Sequence, residues 1–114
     1  MLSEPVFLQP ARFIDSGAPA ICEFARNVTK GAQNDSERAV ALYRAVRDRV
    51  LYDPYVDVTD PRSYRASDIL ARGRAYCVGK ACLLAAVARA AWIPARVGYA
   101  DVRNHMTCRV EIDA

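Results

Sequence analysis

The chain has 114 residues, 53% of them hydrophobic and 25% charged, which is about one domain of ordinary globular sequence and excludes a disordered or fibrous protein. Sixteen Lys and Arg against thirteen Asp and Glu leave a net charge of +3. The basic residues are spread from Arg12 to Arg109 with acids between them, so no stripe forms for a phosphate backbone and no nucleic-acid partner is expected.

The longest apolar run, residues 81–88, is closed by Arg89 and falls far short of the roughly 20 residues a bilayer span requires. No membrane association is expected. The opening Met1-Leu2-Ser3-Glu4-Pro5 puts an acid and a proline where a secretory signal needs basic residues and an apolar run, so a cytoplasmic location is the expectation. The four cysteines, Cys22, Cys77, Cys82 and Cys108, are irregularly spaced, which reads as reduced thiols in that setting. On a helix Cys77 and Cys82 point about 140° apart, which does not suit a shared metal ion. No metal is expected.

In chain order, residues 6–14 are apolar but interrupted by Pro10 and read as an arm or short extended piece. Ile21, Phe24, Ala25 and Val28 recur at helical spacing, with Pro19 tolerable in a first turn and Gly31 available as a stop. Asn34 with Glu37 resembles a capping box for a second helix, whose apolar face is expected to be Ala39, Tyr43, Val46 and Val50, opposite Arg38, Arg44, Arg47 and Arg49. That helix should run to about Leu51. Residues 52–62 contain two X-Pro steps and no helical period, so they read as a loop crossing the molecule.

Ser67 and Asp68 are expected to begin a short third helix that Gly73 ends in a left-handed cap. The longest helical signal follows, from Tyr76 or Cys77 to Ala91, so apolar that the helix must be largely buried. Pro94 stops it. Strands are expected over residues 97–102 and 107–112, the second alternating Cys108, Val110 and Ile112 with Thr107, Arg109 and Glu111, and the two can pair around residues 101–106. The fold class is therefore α+β, with helices early and antiparallel strands late, in one domain over residues 1–114.

Cys77 opens the buried helix, where the dipole favours negative charge and hence a thiolate, and Lys80 one turn on can add to that effect. The alternative is that Cys77 is a small buried hydrophobe. Cys22 and Cys82, on apolar helix faces, read as packing residues. Tyr76 either helps shape an oxyanion site or is core. Arg96 either pairs in the interior, with Asp101 a candidate partner, or is an exposed strand residue. Tyr52, Asp53 and Tyr55 either line a cleft or brace the crossing loop.

Ordered motifs over residues 34–104 resemble the bacterial branch of the transglutaminase-like superfamily. They are the helix of residues 37–48 leading into Tyr52-Asp53-Pro54-Tyr55, then Arg65-Ala66-Ser67 to Gly73, then Tyr76-Cys77-Val78 with Lys80-Ala81. After these come Ile93-Pro94-Ala95-Arg96 and Asp101-Val102-Arg103-Asn104-His105. The resemblance implies a papain-like, transglutaminase-core fold in which Cys77 is the nucleophile at the start of a helix packed on an antiparallel sheet. In that family the sheet supplies a His and then an Asp, and no cofactor is needed. The thiolate attacks a peptide or small amide carbonyl, His carries the proton to the leaving amine, and backbone N–H donors hold the oxyanion.

Two departures stand beside the match. His105, the single histidine, is followed by Met106-Thr107-Cys108-Arg109 rather than by the family's His-x-Trp-x-Glu or Trp-His-Gly-Tyr surroundings, and in the closest-looking relatives the Asp-Val-Arg-Asn-His stretch precedes the catalytic His. Trp92 stands where the family has Gly at the helix end, and since a left-handed residue there is uncommon for other types, a different helix ending is expected. Asp113 is the remaining candidate third member. The reading adopted is a domain truncated before the usual His and Asp region, retaining the nucleophile but inactive or incomplete. The alternatives are an active Cys77–His105 acyl-transfer or protease domain, and a non-enzymatic module whose unfinished sheet pairs with a second copy as a homodimer.

Overall fold

The computed structural model of the protein describes residues 8–57, 59–102 and 105–112, with residues 99–102 and 105–112 described by their backbone. The elements are α1 (Pro19–Thr29), α2 (Asp35–Arg49), β1 (Leu51–Tyr52), α3 (Ala66–Arg72), β2 (Arg74–Ala75), α4 (Cys77–Ala90), β3 (Ala95–Val102) and β4 (His105–Ile112), with a 3-10 turn at Pro61–Ser63. Helices precede the antiparallel pair, as the sequence implies.

α1 starts on Pro19, whose fixed φ and missing N–H suit a first helical position. Past its end, Gly31 takes φ 94°, where a β-carbon would meet nothing within 4 Å, and the chain turns into the next cap. There the Asn34 side chain accepts the Glu37 N–H at 2.8 Å while the Glu37 carboxylate accepts the Gln33 N–H at 3.3 Å, a reciprocal cap that starts α2. α2 buries Leu42 and Val46, and Val50 follows them into the core. Tyr43 does not. It is 53% exposed and lies under the Arg47 guanidinium, so the buried stripe runs one position away from the expected Tyr43, through the aliphatic Leu42.

The third helix begins at Ala66, earlier than Ser67 or Asp68, and has no cap from its own N-cap residue, Arg65. The cap comes from Asp15. Its carboxylate accepts the Ser67 N–H at 3.1 Å and the Ser67 hydroxyl, while the Phe13 carbonyl takes the Ala66 N–H at 3.0 Å. The N-terminal arm therefore supplies from 52 residues away what the local sequence lacks. Gly73 closes α3 at φ 74°, the left-handed cap expected of it.

α4 is the centre of the molecule. Gly79, Ala81, Cys82, Leu83, Ala85, Ala86, Val87, Ala88 and Arg89 are buried along it, and it packs against α1, α2, α3, β3 and β4. The core they share includes Ile21, Leu42, Val46, Val50, Ile69, Leu83, Val87 and Ile93, each contributing about 1.5–3 kcal/mol by its burial. α4 ends in a way the sequence argued against. Trp92 does take the left-handed region, φ 63°; its N–H reaches the Arg89 carbonyl at 3.0 Å, and the Ile93 N–H reaches the Ala88 carbonyl at 2.9 Å. These are the two bonds of a Schellman motif, and burial of Ile93 holds the motif in place although its left-handed residue is not glycine.

β3 and β4 pair antiparallel from Ala95 opposite Ile112 to Val102 opposite His105. The pairing thus closes within the expected region, and both strands begin two residues before the expected 97 and 107. β1 and β2 form a separate parallel pair, Leu51 with Arg74 and Tyr52 with Ala75. This pairing gives regular structure at the start of what reads in the sequence as a plain crossing loop.

Candidate active site

Cys77 is the first residue of α4, half-buried, with Tyr76 as the extended N-cap residue. No acidic side chain lies in the first turn of α4, so nothing on the helix opposes the attraction of its dipole for an anion. The first-turn N–H groups, which a helix cannot satisfy internally, are the donors available to a developing oxyanion.

Gly79 sets how deeply this turn is seated. A β-carbon there would lie 2.8 Å from the Ser63 carbonyl oxygen, 3.0 Å from Ala75 Cβ and 3.1 Å from Ile69 Cδ1, so only glycine lets the start of α4 reach the 3-10 turn. The segment carrying Ser63 is itself pinned. The Thr59 hydroxyl and N–H donate to Asp57 at 2.6 and 3.0 Å, and the Ser63 hydroxyl donates to the Asp57 carbonyl at 2.7 Å. The Thr59 hydroxyl and then its N–H hold the Asp57 carboxyl below the ordinary carboxylate range; the Arg62 side chain and then its N–H do the same for Asp60.

The parallel pair β1–β2 brings residues 51–53 alongside residues 73–75, just before Cys77. The Leu51 N–H bonds to the Gly73 carbonyl at 2.9 Å and the Asp53 N–H to the Ala75 carbonyl at 2.8 Å, two residues before Cys77. Asp53 accepts the Tyr55 N–H at 2.9 Å and faces Arg74 at 3.5 Å. Its carboxylate thus braces the turn, and Tyr52 and Tyr55, 60% and 92% exposed, stand out from it. Sequence reading missed this meeting because two-residue strands are too short to show alternation.

Tyr76 is built into an aromatic row. Its hydroxyl donates to the Tyr64 hydroxyl at 3.2 Å. The two rings meet edge-on at 6.0 Å, as do Tyr64 and Phe13, a favourable geometry for aromatic pairs. Tyr76 is half-buried, and these ring contacts tie it to Tyr64 and, through Tyr64, to Phe13. The Lys80 ammonium donates to the Arg47 carbonyl at 3.4 Å, so it sits on the last turn of α2 and complements that helix's negative end.

Cys82 is buried as expected of a packing residue, and the Cys22 thiol donates to the Ser16 carbonyl at 3.2 Å. Cys22, Cys77 and Cys82 are thiols rather than disulfides. His105 is the first residue of β4, opposite Val102; its side chain, those of Asp101 and Cys108, and Asp113 lie outside the described residues. Arg96 is exposed on β3. Among the described residues no helix is long and apolar enough to cross a membrane.

A family model described as the transglutaminase-like superfamily matches residues 23–112. No curated protein matches the sequence. In three dimensions the chain is similar to a crystal structure described as a "Putative Cysteine Protease from Cytophaga hutchinsonii", with a TM-score of 0.79 and 24% identity over 94% of this chain. At that identity the likeness is one of fold, and the chain spans 37% of the length of that protein.

Proposed function

This chain belongs to the transglutaminase-like superfamily, and from that premise we propose that it carries the nucleophile half of a cysteine acyl-transfer or amide-hydrolase site, with little turnover of its own. The observation that carries the reading is the position of Cys77 as the first residue of the buried helix α4, beside the segment that β1 and β2 bring to it. A peptide or small amide is the substrate class. The Cys77 sulfur attacks the carbonyl carbon, a C–S bond forms, and the first-turn N–H groups of α4 face the oxygen that becomes negative. When the tetrahedral species collapses the C–N bond breaks, the amine leaves with a proton from a general acid, and the thioester passes its acyl group to water or to another amine.

The weak link is that proton. A positioned acid–base group contributes about 10²–10⁴-fold, and the residues after His105, Met106-Thr107-Cys108-Arg109, carry neither the aromatic nor the acid of the family pattern. A second reading makes His105 the base, and one observation favours it. α4, 14 residues long, and β3, eight residues long, are joined by the reversal at Trp92, and both span roughly 20–26 Å. β3 and β4 both pack on α4, and a β3 running back along α4 would bring His105, at the start of β4, toward the end where Cys77 lies.

Hydrolysis of a glutamine peptide and of a small amide separates the two readings. The expected result is a rate indistinguishable from that of Cys77→Ala. Turnover abolished by both Cys77→Ala and His105→Ala would overturn the first reading and establish the second.

A further inference from the structure

At the opposite end of α4 from Cys77 lies an open cleft of about 600 Å3, walled by the N-terminal arm, α1, the start of α2 and the end of α4, within the size range of small-molecule sites. Its lining holds Arg26, Arg38 and Arg89 and no acidic residue; the rest is largely apolar, including Pro10, Ala25 and Trp92. Arg89 is the unusual member. It is only 8% exposed, and it meets no carboxylate among the described residues. Its Nε donates to the Ala95 carbonyl at 2.9 Å and its Nη1 to the Gln9 carbonyl at 2.8 Å. Those two carbonyls fix the plane of the guanidinium.

A guanidinium stays charged, and burying one without a counter-charge is costly. Burial accordingly pushes the Arg89 pKa down. Arg38 shares the condition in part: Asp35 pairs with its Nη2, but its buried Nε has no hydrogen-bond partner among the described residues. The positive ends of the cleft and its apolar walls ask for different things from one ligand. A flat carboxylate matches the fork of a guanidinium, and a hydrocarbon or ring matches Pro10, Ala25 and the Trp92 indole.

We propose that this cleft binds a small organic carboxylate with an apolar body, its carboxylate facing Arg89 and Arg38 and its body against Trp92. The site is independent of the Cys77 chemistry, since α4 puts about 20 Å between them.

Trp92 is the single tryptophan of the chain, so its emission reports on the cleft directly. Benzoate should change that emission saturably in the millimolar range or tighter, as suits a ligand of its size. Benzamide, which keeps the ring without the charge, and inorganic phosphate, which keeps charge without the ring, should each bind about tenfold more weakly or worse. Arg89→Gln should weaken benzoate by a similar factor. If that variant does not fold, Arg38→Gln decides, and Cys77→Ala should leave benzoate binding unchanged. Equal binding of benzoate and benzamide would remove the charge recognition, equal binding of phosphate would remove the apolar half, and absence of saturation would remove the site; each overturns the proposal.

Discussion

At the scale of single residues, Cys77 and Trp92 occupy the two ends of α4, and each asks its backbone position to do something specific. Cys77 is half-buried at the positive end of the helix. Cys82 is 6% exposed, and Cys22 directs its thiol into a bond with the Ser16 carbonyl. Helix-terminal placement and access both favour thiolate attack at Cys77, so iodoacetamide should alkylate it faster than either of the other two, as read by peptide mapping across pH. Equal rates at Cys22 would remove the case for an activated nucleophile. Trp92 holds φ 63° while its side chain is 76% exposed, so it gains little packing to offset a conformation costing about 1–2 kcal/mol for a residue with a β-carbon. Glycine accepts that conformation but orders at an entropic cost of about 0.5–1 kcal/mol. Trp92→Gly should therefore raise the unfolding free energy by about 0.5–1 kcal/mol in urea denaturation followed by circular dichroism, and Trp92→Ala should not. The family's glycine at this point marked the left-handed position correctly; what the sequence could not show is that Ile93, locked in the core three residues past the helix, holds a tryptophan there.

Among the elements, those legible in the sequence are the ones whose signals are local. The Asn34 and Glu37 cap, the left-handed Gly73 and the apolar run of α4 each depend on neighbours within a turn or two, and each is where the sequence puts it. What escaped depends on distant partners. Tyr43 and Leu42 fit a helical stripe about equally well by spacing, and the choice between them is made by what α1 and α4 offer across the interface. The start of α3 is set by Asp15, and β1 exists only because β2 lies beside it. The N-terminal arm, which the sequence offers only as a short extended piece over residues 6–14, is therefore part of the scaffold behind the site: Asp15 holds α3, and Ile69 of α3 abuts Gly79 in the first turn of α4. Removing a cap of this kind costs about 0.5–2 kcal/mol. Asp15→Ala should destabilise the protein by that amount in chemical denaturation, whereas Asp15→Asn, which keeps an acceptor for the Ser67 N–H, should lose less. A neutral Asp15→Ala would mean that Arg65 and the solvent cap α3 without the arm.

For the whole molecule, the radius of gyration is 13.1 Å, close to the roughly 13 Å expected of a compact domain of this length. α4 is covered by helices on one side and by β3 and β4 on the other, so the expectation that its apolar surface would lie open and drive pairing of two copies loses that support. A different reason for pairing survives. β3 and β4 form a two-stranded sheet among the described residues, and such a pair leaves a row of backbone donors and acceptors on each outer edge. Two strands are also marginal alone, and a third added at an edge extends the ladder without disturbing the core. The attraction is then through hydrogen bonds at an edge rather than through a large apolar face, which argues for a weaker, concentration-dependent dimer in place of an obligate one. Light scattering should give a mass near 12.6 kDa at high dilution, rising toward twice that value as concentration increases, with two-fold edge pairing as the simplest closed arrangement. A mass that stays at one chain across the same range would show that both edges are guarded, by the twist of the hairpin or by the charged side chains along it.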